Sequence, residues 1–173
     1  FFEAAEIMKV SYFNHLPIVD KNYKLQGLYV LEFMKKPMVR KNQVIIMAGG
    51  MGKRLLPLTK TKPKPLIKAF GKPMLEHVIL KIKKCGFEKF TLSVNYKKNL
   101  IKKYFSDGKN IGVKINYIQE KNFLGTAGSL CYLKGKSNET ILVTNCDVVS
   151  DIDYGHLLDY HNLNRADATM AVY

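Results

Sequence analysis

Residues 44–66 read VIIMAGGMGKRLLPLTKTKPKPL. A short apolar run, Val44 to Met47, ends in Ala48-Gly49-Gly50-Met51-Gly52, and Lys53 and Arg54 follow at once. A brief apolar run bounded by a glycine turn predicts a buried strand. Glycines let backbone amides approach an anion closely, and nearby cations then meet its charge. Lys64 stands ten residues after Arg54, between Pro63 and Pro65, whose rings stiffen the backbone around it. Polyphosphate suits such a run. Two familiar phosphate patterns are excluded. A Walker loop needs a glycine where Met47 stands, and Arg54 replaces its Ser or Thr. The dinucleotide fingerprint needs a third glycine where Leu55 stands.

Outward from this run, strands and helices alternate. Leu75, Val78, Ile79 and Ile82 recur at helical spacing and predict a helix over 74–85, closed by Gly86. Further strands are expected at 89–94, 113–119, 140–144 and 168–173, with helices at 99–105, 126–133 and 154–162. Such alternation implies an α/β fold with a Rossmann-like, doubly wound, mostly parallel sheet. Ligands of these sheets bind beyond the C-terminal strand ends. The glycine-rich loop, Gln119-Glu120 and Asn145-Cys146-Asp147 all fall at such ends, which predicts one shared site. Residues 1–37 break the pattern. They read as an amphipathic helix over 2–8, a strand over 16–20, a turn at 22–24, a strand over 25–30 and a helix from 31. Residues 38–42 read as a polar linker.

The net charge of +14 is uneven: residues 41–120 carry eighteen basic and four acidic side chains. Many of these lysines sit on helix-like stretches, such as Lys81, Lys83, Lys84, Lys98, Lys102 and Lys103, where solvated faces explain them. The remainder suits attraction of anionic substrates. No nucleic-acid module is legible. No stretch is long and apolar enough to cross a bilayer as a helix, so no membrane partner is expected. Cys85, Cys131 and Cys146 form no CxxC pair and read as free thiols of a reducing, cytoplasmic compartment. His156 and His161 lack cysteines at zinc spacing and are expected on a helix surface.

The run Gly49-Gly50-Met51-Gly52-Lys53-Arg54-Leu55-Leu56-Pro57-Leu58-Thr59, followed by Pro63-Lys64-Pro65-Leu66, resembles the signature of the sugar-phosphate nucleotidyltransferases (nucleoside-diphosphate-sugar pyrophosphorylases). Gly71-Lys72-Pro73-Met74, Leu124-Gly125-Thr126-Ala127-Gly128 and Asn145-Cys146-Asp147 match further blocks in the family's order. The resemblance runs from residue 43 to the end of the sequence and implies the N-terminal part of a nucleotide-diphospho-sugar transferase domain over 43–173. Asn145-Cys146-Asp147 is closest to the Asn-x-Asp variant of mannose-1-phosphate guanylyltransferases, which favours GTP. The stretch His15 to Asp20, with Gly27-Leu28-Tyr29-Val30, resembles the end of a CBS domain. That family's ribose contacts come from residues three and six after the glycine, here Val30 and Phe33. The resemblance therefore implies a packing or homo-oligomerisation element over 1–37.

The family reaction joins a sugar-1-phosphate to the α-phosphorus of a nucleoside triphosphate and releases pyrophosphate. The resemblance implies that Ala48, Gly49, Gly50, Met51, Gly52, Lys53 and Arg54 bind nucleotide, with Gly49 and Gly50 toward base and ribose. Arg54 is expected to grip the triphosphate, and Lys64 to sit over the α-phosphate and the incoming sugar phosphate; these two are the catalytic candidates. Lys53 is equally a solvated lysine. Gln119, Glu120, Gly125, Thr126 and Ala127 are expected around the base. Asp147 is the expected Mg2+ ligand, since Mg2+ takes one or two carboxylates with phosphate oxygens and water. Lys72 is read as structural, and Asp151 and Asp153 as surface and helix-capping groups. Both ends of the sequence read as cut, so the sugar pocket and a second metal-binding Asp are expected beyond Tyr173, and the stretch alone is expected to be inactive. Two alternatives stay open: a nucleotide-binding or regulatory fragment without turnover, and transfer to a non-sugar phosphate such as phosphocholine.

Overall fold

The computed structural model describes residues 4, 7, 8, 11–30, 38–120, 125, 127–133, 139–148 and 150–172. The chain divides into two compact units, Phe1–Met38 and Val39–Tyr173. In the first, β1 (His15–Val19) and β2 (Leu25–Val30) pair antiparallel, with His15 opposite Val30. The turn between them is closed by Asp20, whose carboxylate accepts from the amides of Asn22 at 2.8 Å and Lys24 at 3.0 Å. This is the side-chain-to-backbone turn that Asp favours. The strands and turn expected from sequence are present. Of the helix expected over 2–8, Ala4, Ile7 and Met8 are described and helical; the helix expected from residue 31 lies outside the described residues.

The second unit is built on four parallel strands in the order β7-β6-β3-β8, where β3 is Arg40–Met47, β6 Phe87–Val94, β7 Lys114–Gln119 and β8 Leu142–Asn145. Val44, Ile45 and Ile46 are consecutive and fully buried, so β3 is covered on both faces, as parallel strands are. Phe90 to Val94 of β6 are buried in the same way. Each large apolar side chain so covered contributes about 1.5–3 kcal/mol relative to exposure. β3 begins at Arg40 rather than Val44, so Arg40, Lys41 and Asn42, expected in a linker, belong to the sheet. Two side chains explain this: Asn42 Nδ2 donates to the Thr140 carbonyl at 2.8 Å, and Arg40 forks onto both Asp159 oxygens at 2.7 Å. The Arg40 guanidinium also lies 5.9 Å from the Phe87 ring centre.

After β3, a short antiparallel pair, β4 (Lys68–Ala69) and β5 (Lys72–Pro73), leads into α1 (Met74–Lys84). Leu75, Val78, Ile79 and Ile82 are buried along one face of α1, as their spacing predicts. The helix stops where Gly86 adopts φ 92°, its amide donating to the Lys83 carbonyl at 2.9 Å. Lys72 lies 3.3 Å from the buried Glu76 carboxylate, which also accepts from the Tyr104 hydroxyl, so Lys72 is a structural group here. α2 (Lys98–Phe105) buries Ile101 and Phe105. α3 (Tyr154–Leu163) is capped by Asp153, which accepts from the amides of Gly155 and His156 as expected. Asp151 is exposed.

Two expected elements differ. The helix expected over 126–133 is a 3-10 segment, Gly128–Leu133. Among its residues only Ser129 is buried, so it has no apolar face to hold an α-helix. Residues 168–172 form no strand; Met170 and Val172 are 81% and 83% exposed. Apolar alternation makes a strand only where a neighbour pairs with it, and no described strand does. Among the described residues no helix is long and apolar enough to cross a membrane.

Candidate active site

The strand order fixes where a ligand can sit. From β3 the chain steps through α1 to β6 and through α2 to β7, moving away on one side. β8 then pairs on the opposite side of β3. Such a reversal opens a crevice beyond the carboxyl ends of the strands that flank it. Met47, at the end of β3, stands opposite Ser93 of β6 and Asn145 of β8. The glycine-rich loop and the Asn145-Cys146-Asp147 turn therefore meet, though nearly a hundred residues separate them in sequence. A cavity of ≈ 460 Å³ opens between them.

The loop forms one wall. Among the described residues, none of the backbone amides from Gly49 to Arg54 has a hydrogen-bond acceptor in the protein. Six consecutive donors without acceptors among the described residues, at the end of a strand, make this loop a candidate anion site. Gly52 holds φ 64°, and a Cβ there would lie 2.8 Å from Thr59 Cγ2. Both facts demand glycine. A Cβ on Gly50 would meet nothing within 4 Å, so the protein itself has no need for glycine there. The two positions should separate in experiment. Gly52→Ala should lower the thermal midpoint by several degrees, for a cost of at least about 1 kcal/mol. Gly50→Ala should leave the midpoint unchanged while weakening triphosphate binding in titration calorimetry. Unchanged binding in Gly50→Ala would place the ligand elsewhere.

Lys53, Arg54 and Lys64 supply positive charge around the cavity. Lys53 and Arg54 begin a 3-10 turn at the loop's end, with exposed side chains. Lys64 begins another, entered from extended Pro63. Its ammonium pairs with the Asp147 carboxylate across the cavity, so the loop and the β8 turn are bridged by one ion pair. Cys146 lines the same wall, and burial, reinforced by the Asp147 charge, pushes its thiol up to about 12. A thiol so held stays neutral and is no nucleophile at physiological pH.

Glu120 closes the far side. It is 9% exposed, and its Oε1 accepts from the Ser93 hydroxyl at 2.6 Å. Its carboxylate also crowds Gly49, where a Cβ would come within 3.2 Å of Oε1. Of the residues expected from sequence, Gly49, Gly50, Gly52, Lys53, Arg54, Lys64, Glu120, Gly125 and Asp147 line the cavity. Ala48, Met51, Gln119 and Ala127 do not. Ala48 is buried beneath the loop, its amide donating to the Ser93 carbonyl at 2.8 Å. Met51, Gln119 and Ala127 are exposed. Gln119 ends β7 and alternation points its side chain away from that of Glu120. Thr126 lies outside the described residues. Ser93 was missed. Applying the strand-end rule to β6, whose polar end follows an apolar run, would have found it.

No group of three or more metal-ligating side chains occurs among the described residues. Of the two carboxylates on the cavity, Glu120 is buried and engaged by Ser93, and Asp147 could hold a hard cation together with oxygens from a ligand and water.

A parallel sheet with a switch point, where a row of amides has no acceptor among the described residues, defines an α/β domain with a candidate anion site. A family model described as "Nucleotidyl transferase" matches residues 43–173, and the chain belongs to that family. It is 40% identical over 127 residues to a mannose-1-phosphate guanylyltransferase of Mycobacterium tuberculosis, covering 73% of this chain and 35% of that protein. It is 36% identical over 133 residues to a mannose-1-phosphate guanylyltransferase catalytic subunit beta of Dictyostelium discoideum, covering 75% and 37%. The chain thus spans little more than a third of the length of these relatives. Among solved structures, HddC from Yersinia pseudotuberculosis in complex with GMP-PN superposes with a TM-score of 0.61 at 27% identity, covering 69% of this chain and 54% of that one. A UDP-glucose pyrophosphorylase from Acinetobacter baumanii shares the fold, with a TM-score of 0.63 at 18% identity, covering 75% and 54%.

Proposed function

We propose that the chain carries the nucleoside-triphosphate half of a sugar-1-phosphate guanylyltransferase. In this reaction a sugar-1-phosphate oxygen bonds to the α-phosphorus of GTP, the α–β anhydride breaks, and pyrophosphate leaves. The observation that carries the reading is the run of amides from Gly49 to Arg54 without acceptors among the described residues, with Arg54 and Lys64 on the same cavity. The amides and Arg54 receive the triphosphate, and Arg54 can fork onto two phosphate oxygens. Lys64 meets the α-phosphate. Transfer of this kind needs positioning and charge neutralisation more than covalent help. The names of the M. tuberculosis and D. discoideum relatives support guanine and a sugar phosphate.

Asp147 is the proposed holder of Mg2+, which when bound would offset the charge gathering on the departing pyrophosphate. The residue fits that role only if Lys64 releases it, because the two are paired. Residues 1–37 we read as the end of a CBS module that packs or pairs copies of the chain, a reading supported by the β1–β2 hairpin. The three free cysteines suit a reducing, cytoplasmic compartment.

The test is pyrophosphate release by the full-length protein with Mg2+, from each nucleoside triphosphate against a panel of sugar-1-phosphates. Phosphocholine belongs on the acceptor panel. GTP with a hexose-1-phosphate should turn over fastest. Release with phosphocholine alone would replace the sugar reading, and no release with any pair would end the transferase reading. Light scattering on the same protein with and without residues 1–37 tests the pairing role; an unchanged mass per particle removes it.

A further inference from the structure

Two donors converge on the Gly52 carbonyl: the Leu55 amide at 2.9 Å and the Thr59 hydroxyl at 3.0 Å. Thr59 is 1% exposed, so packing leaves its hydroxyl little freedom. Its own carbonyl accepts from the Tyr96 hydroxyl at 3.2 Å. Tyr96 stands just beyond β6, and its amide donates to the Gly49 carbonyl at 3.3 Å. The next residue, Lys97, reaches the Lys60 carbonyl with its ammonium at 2.5 Å. One corner of chain thus grips the glycine-rich loop at its start and again where it returns.

The consequence lies in the peptide between Gly52 and Lys53. A trans peptide is planar, and its C=O and N–H point in opposite directions. Holding the Gly52 oxygen toward Thr59 turns the Lys53 N–H the other way. That N–H has no acceptor among the described residues. Glycine at φ 64° can flip such a peptide at small cost, and a flip would present an oxygen to an anion in place of a hydrogen. We propose that Thr59, seated by Tyr96, is a positioning residue that locks the Gly52–Lys53 peptide so that the Lys53 amide serves the phosphate chain. This rests on the phosphate-site reading above.

The probe is inorganic tripolyphosphate, titrated calorimetrically into the full-length protein, which makes the result independent of base and sugar. Thr59→Val keeps the shape and loses the hydroxyl; its affinity should fall about tenfold, the worth of one charge-assisted hydrogen bond. Thr59→Ser keeps the hydroxyl and should stay within about threefold. The Lys53 amide resonance should move on adding tripolyphosphate to the unmodified protein and to Thr59→Ser, and stay in place in Thr59→Val. Equal affinities in all three proteins, or equal losses in both variants, would overturn the lock while leaving the phosphate site intact. Should Thr59→Val fail to fold, Tyr96→Phe takes its place: about a threefold loss is expected, and no loss overturns the lock. An unmodified protein that ignores tripolyphosphate would sink the phosphate-site reading, and the lock with it.

Discussion

Asp147→Asn should split two measurements in opposite directions. With Mg2+ present, turnover by the full-length protein should fall roughly a thousandfold, the equivalent of the several kcal/mol that a bound cation supplies to developing phosphate charge. With metal removed by chelator, affinity for tripolyphosphate should rise. The reason is the Lys64–Asp147 pair, whose side chains are 24% and 32% exposed. Asp147 both occupies the Lys64 ammonium and places a negative charge beside an anion site. Removing that charge frees the lysine and relieves the repulsion. Because the pair is partly solvated, the gain should be modest, about two- to fivefold. Turnover within tenfold of the unmodified protein would show that Asp147 holds no essential cation. A drop in metal-free affinity would show that the ion pair orders the site instead of competing with the ligand.

Glu120→Gln should reverse the choice of base. On the proposed reading, with the phosphates held by the loop amides, Arg54 and Lys64, the buried Glu120 carboxylate would face an uncharged part of the ligand that presents hydrogens, because a carboxylate only accepts. One oxygen is engaged by Ser93. Among the nucleobases, guanine offers two adjacent donors, N1–H and the 2-amino group. Gln in the same place can still accept from Ser93 and N1–H, but it presents its NH2 toward the position-2 substituent. Guanine then meets donor against donor, while xanthine, with a carbonyl there, is matched. Affinity for GTP should fall about a hundredfold and that for XTP rise about tenfold, so the ratio moves by roughly a thousandfold. ITP, which lacks the 2-amino group, should bind the unmodified protein more weakly than GTP. Equal losses for GTP, ITP and XTP in the variant would assign Glu120 to packing against Gly49 and nothing more.

The parallel sheet was legible because β3 and β6 are buried on both faces, and a continuous apolar run such as Val44 to Met47 reports that state directly. Their lower ends were less legible. Arg40 and Asn42 look like linker residues until their partners are known, and those partners, Asp159 and the Thr140 carbonyl, lie about a hundred residues on. That the loop and Asp147 would line one cavity was legible from sequence, because their order along the chain is distinctive and both fall at strand ends. Ser93 and Tyr96 were not, because each acts through a residue distant in sequence, Glu120 for one and Thr59 for the other. Ala48, Met51, Gln119 and Ala127 belong to the same stretches but do not line the cavity. A motif marks a stretch of chain, whereas backbone alternation decides which of its side chains face the cavity.

β3 is held differently at its two ends. Arg40 at its start is tied to Asp159, to the Phe87 ring and to the Cys85 carbonyl. Met47 at its end opens onto the cavity, about 23 Å away at the rise of an extended strand. Substitutions so far apart should add independently. The scaffold can therefore drift toward greater or lesser robustness at one pole while recognition is retuned at the other. Such independence suits a fold whose relatives carry names with different bases and sugars: a lineage can explore new substrates without renegotiating how it stays folded.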